Sequence, residues 1–231
     1  MRLAVIPARG GSKRIPRKNI KLFCGKPMIA WSIEAALQSG CFDHVVVSTD
    51  DSEIAAVALE YGAKVPFMRP AELSDDHTST TAVIRHAVEW FKEHKLVPIQ
   101  VCCIYATAPF VTPQDICSGL EILSSTECNY AFSVTSYPFP IQRAVRITDQ
   151  GQVEMFNLNY FNIRSQDLEL AYHDAGQFYW GRVDAWLHEK IIFSQGSLPV
   201  ILPRHRVQDI DTQEDWTRAE WMFKALSVST Y

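Results

Sequence analysis

Two clusters of residues in this 231-residue chain could do chemistry. The first is the run "ARGGSKRIPRKN" at 8–19, where Arg9, Lys13, Arg14, Arg17 and Lys18 crowd a glycine-bearing loop. Eight of the 22 Lys and Arg precede the first acidic residue, Glu34, although the net charge of the chain is −4. Such a local reversal of sign suggests a site for a highly charged anion. Gly10 and Gly11 let backbone N–H groups approach a phosphate, and Ser12 adds a hydroxyl donor. Arg9 can fork two phosphate oxygens, while Lys13 and Lys18 act as point charges. The loop fits neither G-x-G-x-x-G nor G-x-x-x-x-G-K-[ST], so a dinucleotide fingerprint and a Walker loop are both absent.

The second cluster is "QDIDTQEDW" at 208–216. In an extended segment Asp209 and Asp211 point to the same side, giving a hard-oxygen pair suited to Mg²⁺ shared with substrate phosphates. The same residues also read as an acidic helix entry, with Thr212 and Asp215 as caps. Spacing alone leaves these readings even; the cationic loop favours the metal, because triphosphates travel with Mg²⁺.

These clusters need a scaffold, and the hydrophobic pattern supplies one in which strand and helix alternate. Residues 3–8 read as a buried first strand, so the cationic loop leaves its carboxyl end. A helix over 27–38 follows, with Pro27 in its first turn and Gly40 as its stop. Val45, Val46 and Val47 form a second strand, and Asp50 with Glu53 has capping-box spacing for a helix to Glu60. A short third strand is expected at 64–68, a helix capped by Thr78 or Ser79, strands at 100–105 and 130–134, and a helix opened by Thr112-Pro113. After Pro138 the rhythm breaks: "AVRITDQGQVEMF" reads as a hairpin, and a weakly periodic stretch runs to about Asp174. "GQFYWG", residues 200–202 and a helix over 213–226 close the chain. The expected fold is α/β: a mostly parallel Rossmann-like sheet with helices on both faces, a single domain over 1–231, and an inserted arm at about 138–174. Ligands of such sheets bind beyond the carboxyl ends of the strands.

Bulk properties exclude several classes. A pI of about 6.0 argues against a general nucleic-acid surface. No apolar run reaches membrane-spanning length, and the start is too short for a signal-peptide core, so a soluble cytoplasmic protein is expected. The six cysteines lack CxxC spacing and read as reduced, mostly buried thiols; Cys102 and Cys103 should face opposite sides of one strand.

Taken together, "IPARGGSKRIPRKNI", "VVVSTDD", "VPFMRPAELSDD" and "DIDTQEDW" resemble the CMP-sialic-acid synthetase family over essentially the whole chain. That family activates nine-carbon (in one relative eight-carbon) ulosonic acids with CTP. "YATAPF" at 105–110 and "DAGQFYWG" at 174–181 resemble its branch acting on pseudaminic acid. The resemblance implies that Arg9, Ser12 and Lys13, with the glycines, grip the triphosphate, and that Lys18 and Asn19 contact the nucleotide and the reacting phosphate. It places Arg69 and Thr80 near the cytidine, Mg²⁺ on Asp209 and Asp211, and a homodimer through the arm. Without it, Arg69 and Thr80 would read as a surface salt bridge and a helix cap. Catalysis then rests on Arg9, Lys18 and Asp211, and no general base stands out.

The chain departs from the sialic-acid pattern where that family meets its sugar. Tyr105 replaces a Gln, and "YPFPIQR" at 137–143 stands where a His-Pro and a Lys are common. Tyr105, Arg143, Gln177, Phe178 and Tyr179 are the candidate sugar contacts, with a core role equally open for Phe178. N-acetylneuraminic or legionaminic acid remains the alternative substrate, and a CTP-sensing module without turnover is a more distant one.

Overall fold

The structure, a computed structural model, describes residues 1–228. Strand β1 (Arg2–Pro7) is built from Leu, Ala, Val and Ile that bury both faces, so it occupies the interior of the sheet. Its carboxyl end feeds the cationic loop, which closes through β2 (Leu22–Phe23) and β3 (Lys26–Pro27). Helix α1 (Met28–Ser39) begins after Pro27 and stops at Gly40, whose φ of 65° completes a left-handed cap. β4 (His44–Ser48), α2 (Ser52–Glu60), α3 (Thr80–Glu93), β5 (Gln100–Ile104), α4 (Pro113–Ser125) and β6 (Tyr130–Ser136) follow. A hairpin of β7 (Val145–Ile147) and β8 (Val153–Met155) precedes the long β9 (Tyr172–Arg182). A short α5 (Val183–Leu187), β10 (Ser197–Ile201) and α6 (Gln213–Val228) complete the order.

The main sheet runs β4-β1-β5-β9-β6-β10. β1 pairs with β4 and β5, and β6 with β10, all parallel; β9 lies antiparallel between β5 and β6. This is the expected mostly parallel sheet, with one reversed strand at its centre.

Both faces are covered. Ile29 and Ile33 of α1 and Ile116 of α4 pack on one face against Ile6, Val47, Cys102 and Trp180. Ile84 and Val88 of α3 and Trp186 of α5 pack on the other against Val5, Cys103 and Tyr130. Cys102 and Cys103 therefore face opposite sides, as strand alternation requires, and all six cysteines are free thiols. A third, smaller core joins Ile15 of the cationic loop to Phe23, Phe110, Ile210, Trp216 and Ala219. It fixes both chemically interesting segments to the same apolar nucleus.

Two expectations need correction, and one alternative is resolved. The third strand at 64–68 is only an extended edge with isolated bridges at Lys64 and Met68; Pro66, between them, has no N–H to give a ladder. The cap of α2 is Asp51, not Asp50: its carboxylate accepts from the amides of Glu53 and Ile54. Ser79 rather than Thr78 caps α3, because the Thr78 hydroxyl is bonded to Asp75. The Thr112/Asp115 capping box of α4 and the 145–155 hairpin form where the pattern puts them.

Candidate functional site

The cationic loop is folded by its own polar residues. Asn19, nearly buried, donates its side-chain amide to the Arg9 carbonyl at 3.0 Å, and its own carbonyl accepts from Ile29 at 2.8 Å. Both ends of the loop are thus stapled to the start of α1. Gly10 lies against the β4 end: a Cβ there would sit 2.6 Å from Asp51 Oδ2. Its amide donates to Asp50 at 2.9 Å, so the expected role of presenting that N–H to a ligand is taken by a carboxylate. Gly11 has open space where a side chain would go. Arg17 adopts φ 56°, a left-handed conformation that costs a residue bearing a Cβ about 1–2 kcal/mol. Its guanidinium binds Asp51 and Glu53, tying the loop to the start of α2, and that hydrogen bond holds the Asp51 carboxyl below the usual range.

Beyond these anchors the loop presents its cations to one cleft of about 290 Å³. Arg9, Ser12, Lys13, Lys18, Asn19, Arg69, Thr80 and Tyr105 all line it. Eight of the expected site residues, drawn from the ends of β1 and β5, the extended edge after α2 and the start of α3, therefore converge where a parallel sheet places its ligand. Arg9 meets Asp76 at 2.6 Å and Lys13 meets the other oxygen of the same carboxylate. These bonds, that from Lys13 foremost, lower the Asp76 pKa to about 2.

Arg69 differs from the loop cations. It is 6% exposed, and its Nε donates to Ser74 at 3.2 Å. Its Nη2 stands 3.7 Å from Asp50 and has no hydrogen-bond partner. Burial lowers its pKa, against the opposing pull of Asp50. A buried guanidinium with an unused N–H is a costly arrangement that an acceptor on a ligand would relieve. Nearby, the Thr80 and Tyr105 hydroxyls stand 3.4 Å apart, and burial raises the Tyr105 pKa.

The acidic segment reaches the cleft through Lys18. Its Nζ donates to the Ile210 carbonyl at 2.7 Å and to Asp211 at 3.2 Å, and Arg14 meets the second Asp211 oxygen at 2.9 Å. Ile210 is buried between exposed Asp209 and half-exposed Asp211, the alternation of an extended segment. Although Asp209 is exposed, crowding around its carboxyl and then the charge of Asp211 raise its pKa, while Lys18 opposes them. Two carboxylates placed on one side of an extended segment are a donor set that a hard divalent cation suits. No group of three or more His, Cys, Asp or Glu gathers to hold a metal among the described residues, so further oxygens would come from the ligand.

The candidate sugar contacts separate. Tyr105 lines the cleft, and Tyr179 lies tilted against it at 5.4 Å between ring centres, with its hydroxyl donating to Asp174. Phe178 has no exposed surface and packs with Trp180 and Cys102, which makes it a core residue. Gln177 is also buried; its amide donates to the Arg206 carbonyl at 2.6 Å instead of facing the cleft. Arg143 lies on the exposed segment between β6 and β9, where it donates to Ser165 at 3.2 Å; it does not line the cleft. From the sequence, Asp50 reads only as a helix cap, and Asp76 and Arg206 have no role. The acidic pair in "SDD" was the available signal for Asp76, whereas nothing local marks Arg206.

The chain matches the family profile described as "Cytidylyltransferase" over residues 3–217. It is 48% identical over 229 residues to a protein of Campylobacter jejuni named pseudaminic acid cytidylyltransferase, covering 99% of each chain. It is 35% identical to the CMP-N,N'-diacetyllegionaminic acid synthase of Legionella pneumophila, covering 94% of each. Among solved structures, a CMP:2-keto-3-deoxy-manno-octonic acid synthetase complexed with CTP has the same fold. Its TM-score is 0.70 at 19% identity, over 97% of this chain and 98% of that one.

Proposed function

The chain belongs to the cytidylyltransferase family, and we propose that it transfers CMP from CTP to the anomeric 2-hydroxyl of pseudaminic acid, releasing pyrophosphate. The observation that carries this reading is the cleft itself, where the cations Arg9, Lys13 and Lys18 share one space with the buried, unpartnered Arg69 donor. A nucleoside triphosphate has matching ends: a polyanion for the loop and a base carbonyl for the buried donor.

In the reaction the sugar oxygen bonds to the α-phosphorus while the bond from that phosphorus to the bridging oxygen breaks. Positioning and charge neutralisation dominate such steps. Arg9 and Lys13 exchange Asp76 for phosphate oxygens, and Lys18, at the boundary of loop and acidic segment, meets the charge that develops between the α-phosphate and the leaving group. Asp209 and Asp211 are the residues that would hold Mg²⁺, whose chemistry there is to neutralise phosphate oxygens.

At the sugar end, Tyr105 backed by Tyr179 presents an aromatic wall with hydroxyls at its edge. This favours a sugar with a deoxy methyl face, as pseudaminic acid has. A homodimer built on residues 138–174 belongs to the same proposal, because that segment carries Phe139, Ile147, Val153 and Leu158, each more than two-thirds exposed. The test is pyrophosphate release from CTP with pseudaminic, legionaminic, sialic and ketodeoxyoctonic acids in parallel. Pseudaminic acid is expected to exceed sialic acid by orders of magnitude in kcat/KM. A better rate with sialic acid would sink the sugar assignment, and no release with any sugar would leave a CTP-binding module.

A further inference from the structure

The residues that carry Asp209 and Asp211 have no secondary structure of their own. Between β10 and α6 the chain makes one short turn at Arg204–Arg206 and then runs irregularly to Asp211. In front, Lys18 holds the Ile210 carbonyl. Behind, three residues before Asp209, Arg206 is fastened in three directions. Its guanidinium makes a two-pronged pair with Asp115 at 2.6 and 2.9 Å and reaches the Phe110 carbonyl at 3.4 Å. Its own carbonyl receives the Gln177 amide from β9 at 2.6 Å.

Asp115 is itself fixed. It is 8% exposed and accepts from both the amide and the hydroxyl of Thr112 in the capping box that opens α4. Burial alone would raise its pKa, but the bonds from Arg206 and Thr112 outweigh that and hold it low. A salt bridge this enclosed is rarely the most stable filling for such a space, because desolvation offsets most of its attraction. What it does supply is direction: a planar fork on a carboxylate fixes the orientation as well as the position of the arginine. Gln177 points the same way. Its Oε1 is buried without a partner, a cost of roughly 1–3 kcal/mol that stability alone does not explain. The amide cannot be turned over to relieve it, since Nε2 is needed by the Arg206 carbonyl.

We propose that Arg206, gripped by Asp115 and Gln177, is a positioning residue that sets the register of Asp209 and Asp211 against Lys18, and so governs how tightly those carboxylates hold a divalent cation with the nucleotide. This rests on the reading of Asp209 and Asp211 as metal-holding residues given above. The three residues come from the start of α4, the middle of β9 and the segment after β10, so the clamp refers the acidic pair to the central sheet as well as to the loop it faces.

The test uses the full chain carrying Arg206→Lys or Asp115→Asn. Asp115→Asn keeps an acceptor for Thr112 but loses the charge and one oxygen of the fork. With CTP present, Mn²⁺ binding is measured by water-proton relaxation, which needs no turnover. The expected result is binding weakened about 10-fold and kcat lowered about 10- to 100-fold, with KM for CTP changed less than about 3-fold and far-UV circular dichroism unchanged. Partial recovery of kcat at high Mg²⁺ is expected as well. Mn²⁺ binding within about 2-fold of wild type in a folded variant overturns the proposal, whatever happens to kcat. If Arg206→Lys fails to fold, Asp115→Asn and Gln177→Met carry the same comparison, and Gln177→Met should show the smaller change. Failure of the functional reading looks different: the unmodified chain would release no pyrophosphate with any ulosonic acid, while the Mn²⁺ comparison among variants would still be legible.

Discussion

The cleft and the segment between β6 and β9 use their side chains in opposite ways. Around the cleft, most polar groups find partners within the chain, the Arg69 Nη2 donor excepted: Asn19 with Arg9, Asp51 with Arg17, Lys18 with Ile210, Asp115 with Arg206. In the segment, the hairpin strands are almost wholly exposed, and Phe139, Ile147, Leu158 and Leu170 lie 71–79% open to solvent. A two-stranded hairpin with no covered face is marginal alone. One region is finished by its own chain, and the other asks for a second surface. The difference separates residues that should be tested by kinetics from residues that should be tested by mass.

The strongest way to break the contrast is at the loop. Arg9→Ala or Lys18→Ala is expected to lower kcat/KM by about 10²-fold or more, from the loss of charge placed where the phosphates react. Circular dichroism should be unchanged, since neither charge supports the main core. Wild-type rates in both variants would remove the triphosphate assignment.

The arm is next. Phe156→Glu with Leu158→Glu is expected to convert a dimer to a monomer in light scattering at micromolar concentration. Secondary structure should hardly change, because both side chains are exposed in the single chain. A monomeric mass for the unaltered protein would end the dimer proposal directly.

A finer test lies inside the cleft. Arg69→Lys removes the planar fork and its unpartnered Nη2, so KM for CTP should rise about 10-fold with kcat nearly kept, the signature of lost uniform binding. A fall in kcat at unchanged KM would place Arg69 at the reacting phosphate instead.

The smallest expected effect is on acid stability. The folded-state pKa values of Asp115 and Asp51 lie below the ordinary value of about 3.9. Each therefore contributes stability that is complete above that value and is lost as pH falls through the depressed one. Asp115→Asn should flatten the acid limb of a urea-midpoint profile below about pH 4 and leave its slope above pH 6 alone. An unaltered acid limb would show that the pair contributes little on net.

Much of this was legible in the sequence, and the reasons are physical. Buried strands such as Leu3–Ile6 and the Thr112-Pro113 helix start are local patterns, set by side-chain period and capping. The cation loop was legible because charge density and glycines lie within a dozen residues. What failed was non-local. Phe178 and Gln177 sit one and two residues from Tyr179 on β9, but strand alternation and the irregularity at Gly176, φ 61°, send them to the core and to Arg206. Asp50 and Asp51 are adjacent in sequence, and only the approach of Gly10 and Arg17 decides which one caps the helix. The Asp115–Arg206 pair joins positions 91 residues apart and leaves no local trace.

β9 has a mechanical consequence. Its first residues, Tyr172 to Asp174, pair only with β6 and emerge directly from the arm, while residues from Phe178 onward are wedged between β5 and β6. One continuous strand therefore runs from the end of the arm to Tyr179, which backs Tyr105 beneath the cleft, like a handle fixed to a floorboard. A partner that immobilises the handle would restrain the same strand at Tyr179 and at Gln177, whose amide holds the Arg206 carbonyl. Assembly at the arm would thus tune the rigidity of the reacting end without any contact there.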